Sequence, residues 1–280
     1  MSLSDSQLDR YARHIVLKEI GGEGQRRLLA ATVAIVGAGG IGAPAIQYLA
    51  AAGTGALRVI DDDRVTLDNL QRQVLFGTGD VGRGKAIVAG EAVARLNPDV
   101  VYDGVAERLT QANVAALLAG ADLVLDGSDN FATRLVVSDH TVAARIPLVS
   151  AAIGRFQAQI GTFRGWQGPC YRCFVGDAFD AEDCDTCAEL GVLGAMAGIA
   201  GAFAALEATG SSPGSARRRR ASCTFSTASS RRCGRSGSPK TRPAPLAARL
   251  RRRNSAASGR RSATSRRAGR PARSRARRQG

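Results

Sequence analysis

From residue 31 onward, short apolar runs alternate with longer segments in which apolar residues recur every third or fourth position, the period-2 and period-3.6 patterns of strands and helices. Strands are expected at 32–36, 57–61, 99–105, 122–126 and 146–153, and helices near 41–52, 84–96, 110–118 and 130–144. Alternation of this kind predicts an α/β fold, a Rossmann-like doubly wound, mostly parallel sheet covered on both faces. After Ile153 the pattern changes: Gln157 to Phe163 has the character of an antiparallel return strand, and a cysteine-bearing loop then leads to Glu189. A helix is expected from Gly191 to about Ala208, and an N-terminal one over Asp5 to Leu17, where Leu8, Tyr11, Ile15 and Leu17 fall near one face.

The first strand ends in Gly37-Ala38-Gly39-Gly40-Ile41-Gly42 and opens a helix. Glycines there let the backbone approach phosphate oxygens, and the N–H groups of the first helical turn point at the anion. The candidate contacts are Gly37, Gly39, Gly40 and Gly42; the bland alternative is an ordinary tight strand-to-helix turn. Asp61 follows the next apolar run at about the 20-residue distance where an acid takes ribose hydroxyls. By itself this unit suits a dinucleotide better than ATP. The balance shifts with Asp68-Asn69-Leu70-Gln71-Arg72-Gln73 and with Lys85 at a helix start, because two cations, Arg72 and Lys85, suit a triphosphate.

Asp126-Gly127-Ser128-Asp129-Asn130 closes the strand ending at Leu125, so its carboxylates lie at the carboxyl end of the sheet, where open α/β folds bind ligands. An acid facing a triphosphate is favourable with Mg²⁺ between them, which assigns Asp129 to magnesium. The alternative is that Asp129 caps the following helix.

Charge divides the chain in two. Residues 210–280 hold 22 of the 39 Lys and Arg and none of the 24 Asp and Glu, leaving 17 bases against 24 acids in residues 1–209. The basic pI therefore says nothing about the partners of the acidic body. No apolar run approaches the roughly 20 residues of a membrane span, and the N-terminus lacks a signal-peptide pattern, so a cytoplasmic protein is expected. The six cysteines include the C-x-x-C pairs Cys170/Cys173 and Cys184/Cys187, which in a reducing compartment point to metal or thiol chemistry. Cys170 and Cys173 are half of a tetrahedral zinc site, and spacing permits a Cys₄ set with Cys184 and Cys187.

These motifs, together with Arg10-Tyr11-Ala12-Arg13-His14 and Thr186-Cys187-Ala188-Glu189-Leu190-Gly191-Val192, resemble the ThiF/MoeB/HesA adenylyltransferases, relatives of the ubiquitin-activating enzymes. The likeness spans about residues 5–209. It implies ATP-dependent adenylation of the C-terminal Gly-Gly carboxylate of a ubiquitin-like sulfur-carrier protein, in molybdopterin or thiamine biosynthesis. It also implies that Gly40 and Asp61 contact the nucleotide, that Asn69, Arg72 and Lys85 hold phosphates, and that Asp129 holds magnesium, with Asp68, Gln71 and Asn130 in the same nucleotide-binding motifs. In the family the counterpart of Arg13 reaches the partner subunit's ATP, implying a homodimer; the alternative is a solvated helix face. The family's second zinc pair near the C-terminus is missing, since Cys223 and Cys233 stand ten residues apart. Cys187 matches the family's mobile-loop cysteine, a candidate sulfur-transfer thiol.

Residues 210–280 are mostly Arg, Ser and Ala and cannot bury enough apolar surface to fold, which predicts a disordered basic tail. Two origins fit: an arm that binds nucleic-acid phosphates, or translation out of frame in GC-rich DNA, which the abrupt loss of acids favours. An NAD-dependent oxidoreductase is the other alternative, but Arg72, Lys85 and Asp129 have no task in hydride transfer.

Overall fold

The computed structural model describes residues 3–154, 156–176, 191–211, 222–226 and 234–236. Two helices, α1 (Asp5–Ile15) and α2 (Gly21–Ala30), precede the alternating unit β1 (Thr32–Val36), α3 (Gly42–Ala51), β2 (Ala56–Ile60), α4 (Lys85–Leu96) and β3 (Val101–Val105). There follow α5 (Val114–Leu117), β4 (Leu123–Asp126), α6 (Phe131–Ala144), β5 (Leu148–Ile153) and β6 (Gln157–Phe163). The described chain closes with α7 (Tyr171–Val175), α8 (Gly194–Ser211), β7 (Ser222–Ser226) and β8 (Gly234–Ser236).

The strands form one sheet in the order β3-β2-β1-β4-β5-β6-β7-β8. The first five pair in parallel, and β6, β7 and β8 add on antiparallel. Strand side chains alternate between faces. Val33, Ile35, Leu57, Val59, Leu123 and Leu125 pack in one buried cluster with residues of α3, α4 and α8. Ala34, Val36, Ile60 and Val124 pack in another with residues of α5, α6 and α7. Both faces are therefore covered, as the near-continuous apolar strands require.

Three expectations change. In α1 only Tyr11 is buried, while Leu8 and Leu17 are exposed, because the helix rests on the rim of the domain through the Tyr11 ring. The segment 110–118 is mostly turn: Asn113 Oδ1 accepts the Thr110 N–H at 2.7 Å and its hydroxyl at 3.1 Å, so the helix starts only at Val114. Helix α2 was not expected, since its opening Gly21-Gly22-Glu23-Gly24 has poor helix propensity; burial of Leu28 and Gln25 holds it. Within 210–280 the described residues are the end of α8 at Ser211 and the strands β7 and β8, which pair beyond β6 with Ile160 opposite Cys223. Ladder pairing uses main-chain groups, which composition does not report. The rest of that segment lies outside the described residues.

Candidate nucleotide site

The chain leaves β1 to one side and β4 to the other, so the crevice between their carboxyl ends is the topological switch point of the sheet. Val36 and Asp126 are register partners there, and the loops that follow them touch. The Gly127 N–H donates to Val36 O at 2.9 Å, and a Cβ on Gly37, whose φ is 89°, would lie 3.2 Å from Gly127 O. A side chain at Gly42 would run into the Gly37 carbonyl, so the turn closes only with glycine. Helix α8 crosses the same loop on small residues. A Cβ at Gly40 would sit 3.2 Å from Ala197 Cβ, and one at Gly201 would strike Ile41 O and Pro44. No side chain caps α3, so its first turn faces the crevice as an anion-attracting end.

Asp61 stands at the end of β2 and ties to the glycine loop: its Oδ2 accepts the Ala38 N–H at 2.7 Å and its Oδ1 the Asp63 N–H at 2.9 Å. Burial pushes its carboxyl above the usual carboxylate range, opposed by these two N–H donors and by the Lys85 charge. Lys85 is almost enclosed, its side chain 5% exposed, while its ammonium meets Asp63 Oδ2 at 2.8 Å on a carboxylate that is 66% exposed. Among the described residues this one solvated acceptor leaves the other ammonium donors of Lys85 for a second anion.

The Asp68–Gln73 segment divides its tasks. Asp68 bonds locally: it accepts the Thr66 hydroxyl at 2.5 Å, which holds its carboxyl below the usual range, and its backbone oxygen accepts Arg72 Nη1 at 3.0 Å. Asn69 is buried beside it, with Nδ2 3.4 Å from Asp68 Oδ2. The Arg72 side chain lies along the glycine loop, its Cγ 3.6 Å from where a Cβ of Gly40 would stand. Gln71 turns toward α8, where its carbonyl fits only against Gly194. The glutamine at the loop is instead Gln73, 3% exposed, with Nε2 3.7 Å from a Cβ position on Gly39 and Oε1 buried with no hydrogen bond among the described residues. Gln73 was missed as a site residue; its signal was only its place two residues beyond Gln71.

In the Asp126–Asn130 loop the two acids differ. Asp126 is fully buried and accepts the Ser128 N–H at 3.0 Å and hydroxyl at 2.6 Å, whereas Asp129 is exposed. The helix cap is Asn130, whose Oδ1 accepts the Thr133 N–H at 2.8 Å. That removes the capping alternative for Asp129 and commits the Asn130 carbonyl to the helix.

Arg13 stands in the last turn of α1. Helix α1 docks at the opposite rim, where Arg10 Nη1 donates to Leu96 O at 3.2 Å and Asn97 Nδ2 to Tyr11 Oη at 2.9 Å. Lys85 and Leu96 begin and end α4, which at 12 residues separates the two rims by about 18 Å. Cys170 and Cys173 sit at the start of α7 with sulfurs 3.6 Å apart. Tetrahedral Zn–S bonds would set two sulfurs about 3.8 Å apart, close to the separation of this pair. Among the described residues no group of three or more His, Cys, Asp or Glu could hold a metal. Cys184, Cys187 and Cys233 lie outside the described residues. No helix among the described residues is long and apolar enough to cross a membrane.

For ATP the residues fit. The glycine cradle excludes side chains, Gln73 carries a buried polar atom with no partner among the described residues, Arg72 borders the loop before the uncapped end of α3, and the Lys85 charge acts on Asp61. Fold and crevice together define a nucleotide-binding domain of Rossmann type.

The chain belongs to the ThiF family, which matches residues 11–232. It is 52% identical over 178 residues to the SAMP-activating enzyme E1 of Haloferax volcanii, a match covering 64% of this chain and 66% of that one. To the sulfur carrier protein adenylyltransferase of Thermus thermophilus it is 47% identical over 178 residues, covering 62% of this chain and 66% of the relative. The chain thus spans just under two thirds of the length of these curated relatives. Among solved structures, MccB of E. coli superposes with a TM-score of 0.72 and 21% identity, over 86% of this chain and 72% of that one, a likeness of fold.

Proposed function

We propose that this protein adenylates the C-terminal Gly-Gly carboxylate of a ubiquitin-like sulfur-carrier protein with ATP, releasing pyrophosphate. The observation that carries the reading is the meeting of the Gly37–Gly42 loop with Asp61, Arg72, Lys85 and the Asp129 loop at one switch point. The names of the two relatives, one an activating enzyme and one a sulfur carrier protein adenylyltransferase, support the same activity.

The chemistry suits the residues. A carboxylate attacking the α-phosphorus is already ionised at neutral pH, so no general base is needed. Negative charge builds on the phosphate oxygens as the bond to pyrophosphate breaks, and fixed cations stabilise it. Lys85 and Arg72 are assigned that task, Asp61 the ribose hydroxyls, and the first turn of α3 the phosphates. Asp129 would hold Mg²⁺, which when bound neutralises phosphate charge. Arg13 is assigned to the partner's site in a homodimer, a reading supported by the docking of its helix α1, through Arg10 and Tyr11, on the rim opposite the crevice. Cys170 and Cys173 would supply two zinc ligands, and Cys187 a thiol for later sulfur transfer. The pathway served is molybdopterin or thiamine biosynthesis, in the cytoplasm.

The test is ATP–pyrophosphate exchange by the purified chain. Exchange that needs a Gly-Gly-ended carrier is expected; NADH oxidation without exchange would overturn the assignment in favour of an oxidoreductase.

A further inference from the structure

Behind the exposed Asp129 lies a closed ring of buried polar groups drawn from three elements and one loop. Arg134 of α6, itself 7% exposed, donates from Nη2 to the Ser128 carbonyl and from Nη1 to Ser150 Oγ of β5 at 3.3 Å. The Ser150 hydroxyl donates to Asp126 Oδ2 at 3.5 Å, and Asp126 Oδ1 accepts both the N–H and the hydroxyl of Ser128. Asp126 and Ser150 are register partners on adjacent strands, so the sheet itself fixes one side of the ring.

The effect falls on one peptide. Ser128 has its N–H, hydroxyl and carbonyl all engaged, and that carbonyl belongs to the Ser128–Asp129 peptide. On the other side Asn130 is held as the cap of α6. Asp129 is therefore bracketed by two pinned neighbours, with its carboxylate facing solvent. A loop held in this way has little conformational freedom to lose when a ligand binds. An arginine suits the place because its planar fork reaches two acceptors at once, which a lysine ammonium cannot do with the same geometry.

We infer that Arg134 and Ser150 are positioning residues that hold the Asp129 carboxylate in a cation-binding orientation through the Asp126–Ser128 ring. The inference rests on the assignment of Asp129 to a divalent cation, and the experiment separates the two. Mn²⁺ binding, followed by electron paramagnetic resonance of the free ion in the presence of a non-hydrolysable ATP analogue, is compared in the whole chain and in Asp129→Asn, Arg134→Lys and Ser150→Ala. Metal-free analogue affinity is measured by calorimetry alongside.

Arg134→Lys is expected to weaken Mn²⁺ binding about tenfold, as loss of an outer hydrogen-bond partner does at other metal sites, with metal-free analogue affinity unchanged. Ser150→Ala, the smaller change and the check should Arg134→Lys misfold, is expected to weaken it in the same direction. Wild-type Mn²⁺ affinity in both, with weakened binding in Asp129→Asn, would overturn the positioning role alone. An equal loss of metal-free analogue affinity would also overturn it, since the ring would then support the whole pocket. Wild-type Mn²⁺ affinity in Asp129→Asn would instead overturn the cation assignment on which it stands.

Discussion

Asp61 Oδ2 accepts the backbone N–H of Ala38 at 2.7 Å, so the acid that ends β2 anchors the glycine loop that ends β1. Ala38 lies between two glycines, and its side chain is buried. The link makes Asp61 both a candidate ligand and a support for the glycine loop, and the two roles respond differently to mutation.

Asp61→Asn separates them. The carboxyl titrates above its usual range because it is buried, so its neutral form is the one the fold favours. Its contribution to stability is complete below the unfolded-state value and is lost as pH rises through the raised folded-state value. At pH 7 the asparagine variant never ionises but has one carbonyl oxygen for the two backbone N–H groups that Asp61 accepts, so it is expected to melt below wild type. Nucleotide affinity should fall by about ten- to a hundredfold, the worth of a charged hydrogen bond. Thermal scans at pH 7 and pH 3, with calorimetry, check both halves.

The loop after β4 predicts opposite outcomes at neighbouring residues. Asp129→Ala leaves the cap of α6 untouched and should keep the melting temperature while lowering exchange by about a hundredfold or more. Asn130→Ala removes the acceptor of the Thr133 N–H and should destabilise the fold by about 1 kcal/mol. Urea denaturation beside exchange assays distinguishes them; a destabilised Asp129→Ala would reverse the assignment.

If Arg13 serves the partner's crevice, two inactive proteins should repair one another. Arg13→Ala mixed with an equal amount of Asp129→Ala is expected to recover about a quarter of wild-type exchange, because half of the dimers are mixed and each has one complete site. No recovery after exchange of subunits would place Arg13 outside the chemistry.

The glycine turn offers a test of packing. Gly42→Ala drives a methyl into the Gly37 carbonyl and should cost about 3 kcal/mol or more, whereas Gly79→Ala, with nothing within 4 Å of its Cβ position, should stay within about 0.5 kcal/mol of wild type. Denaturant midpoints measure both.

Much of the candidate site was legible because it is local. Gly37 to Gly42 and Asp61 belong to a single strand–helix–strand unit, so their spacing along the chain sets their meeting in space. Lys85 likewise announced itself as the first residue of a helix. Gln73 was not legible as a site residue, since only packing shows which of two nearby glutamines turns to the loop and which to α8. Helix α2 was hidden for a related reason: its glycines argue against a helix, and the buried Gln25, which donates to Ala52 O at 2.8 Å, supplies what propensity lacks.

By itself the order of residues determined the parallel α/β architecture, the glycine turn after β1 and most of the polar residues around it, because apolar periodicity and glycine placement act over one or two elements. Only the tertiary structure decided that Asn130 and not Asp129 caps α6, and that α1 docks through Arg10 and Tyr11 at the far end of α4. It alone closed Arg134, Ser150, Asp126 and Ser128 into a ring. Those relations join residues from separate strands and helices, and a burial or hydrogen bond between distant segments exists only once the sheet has brought them together.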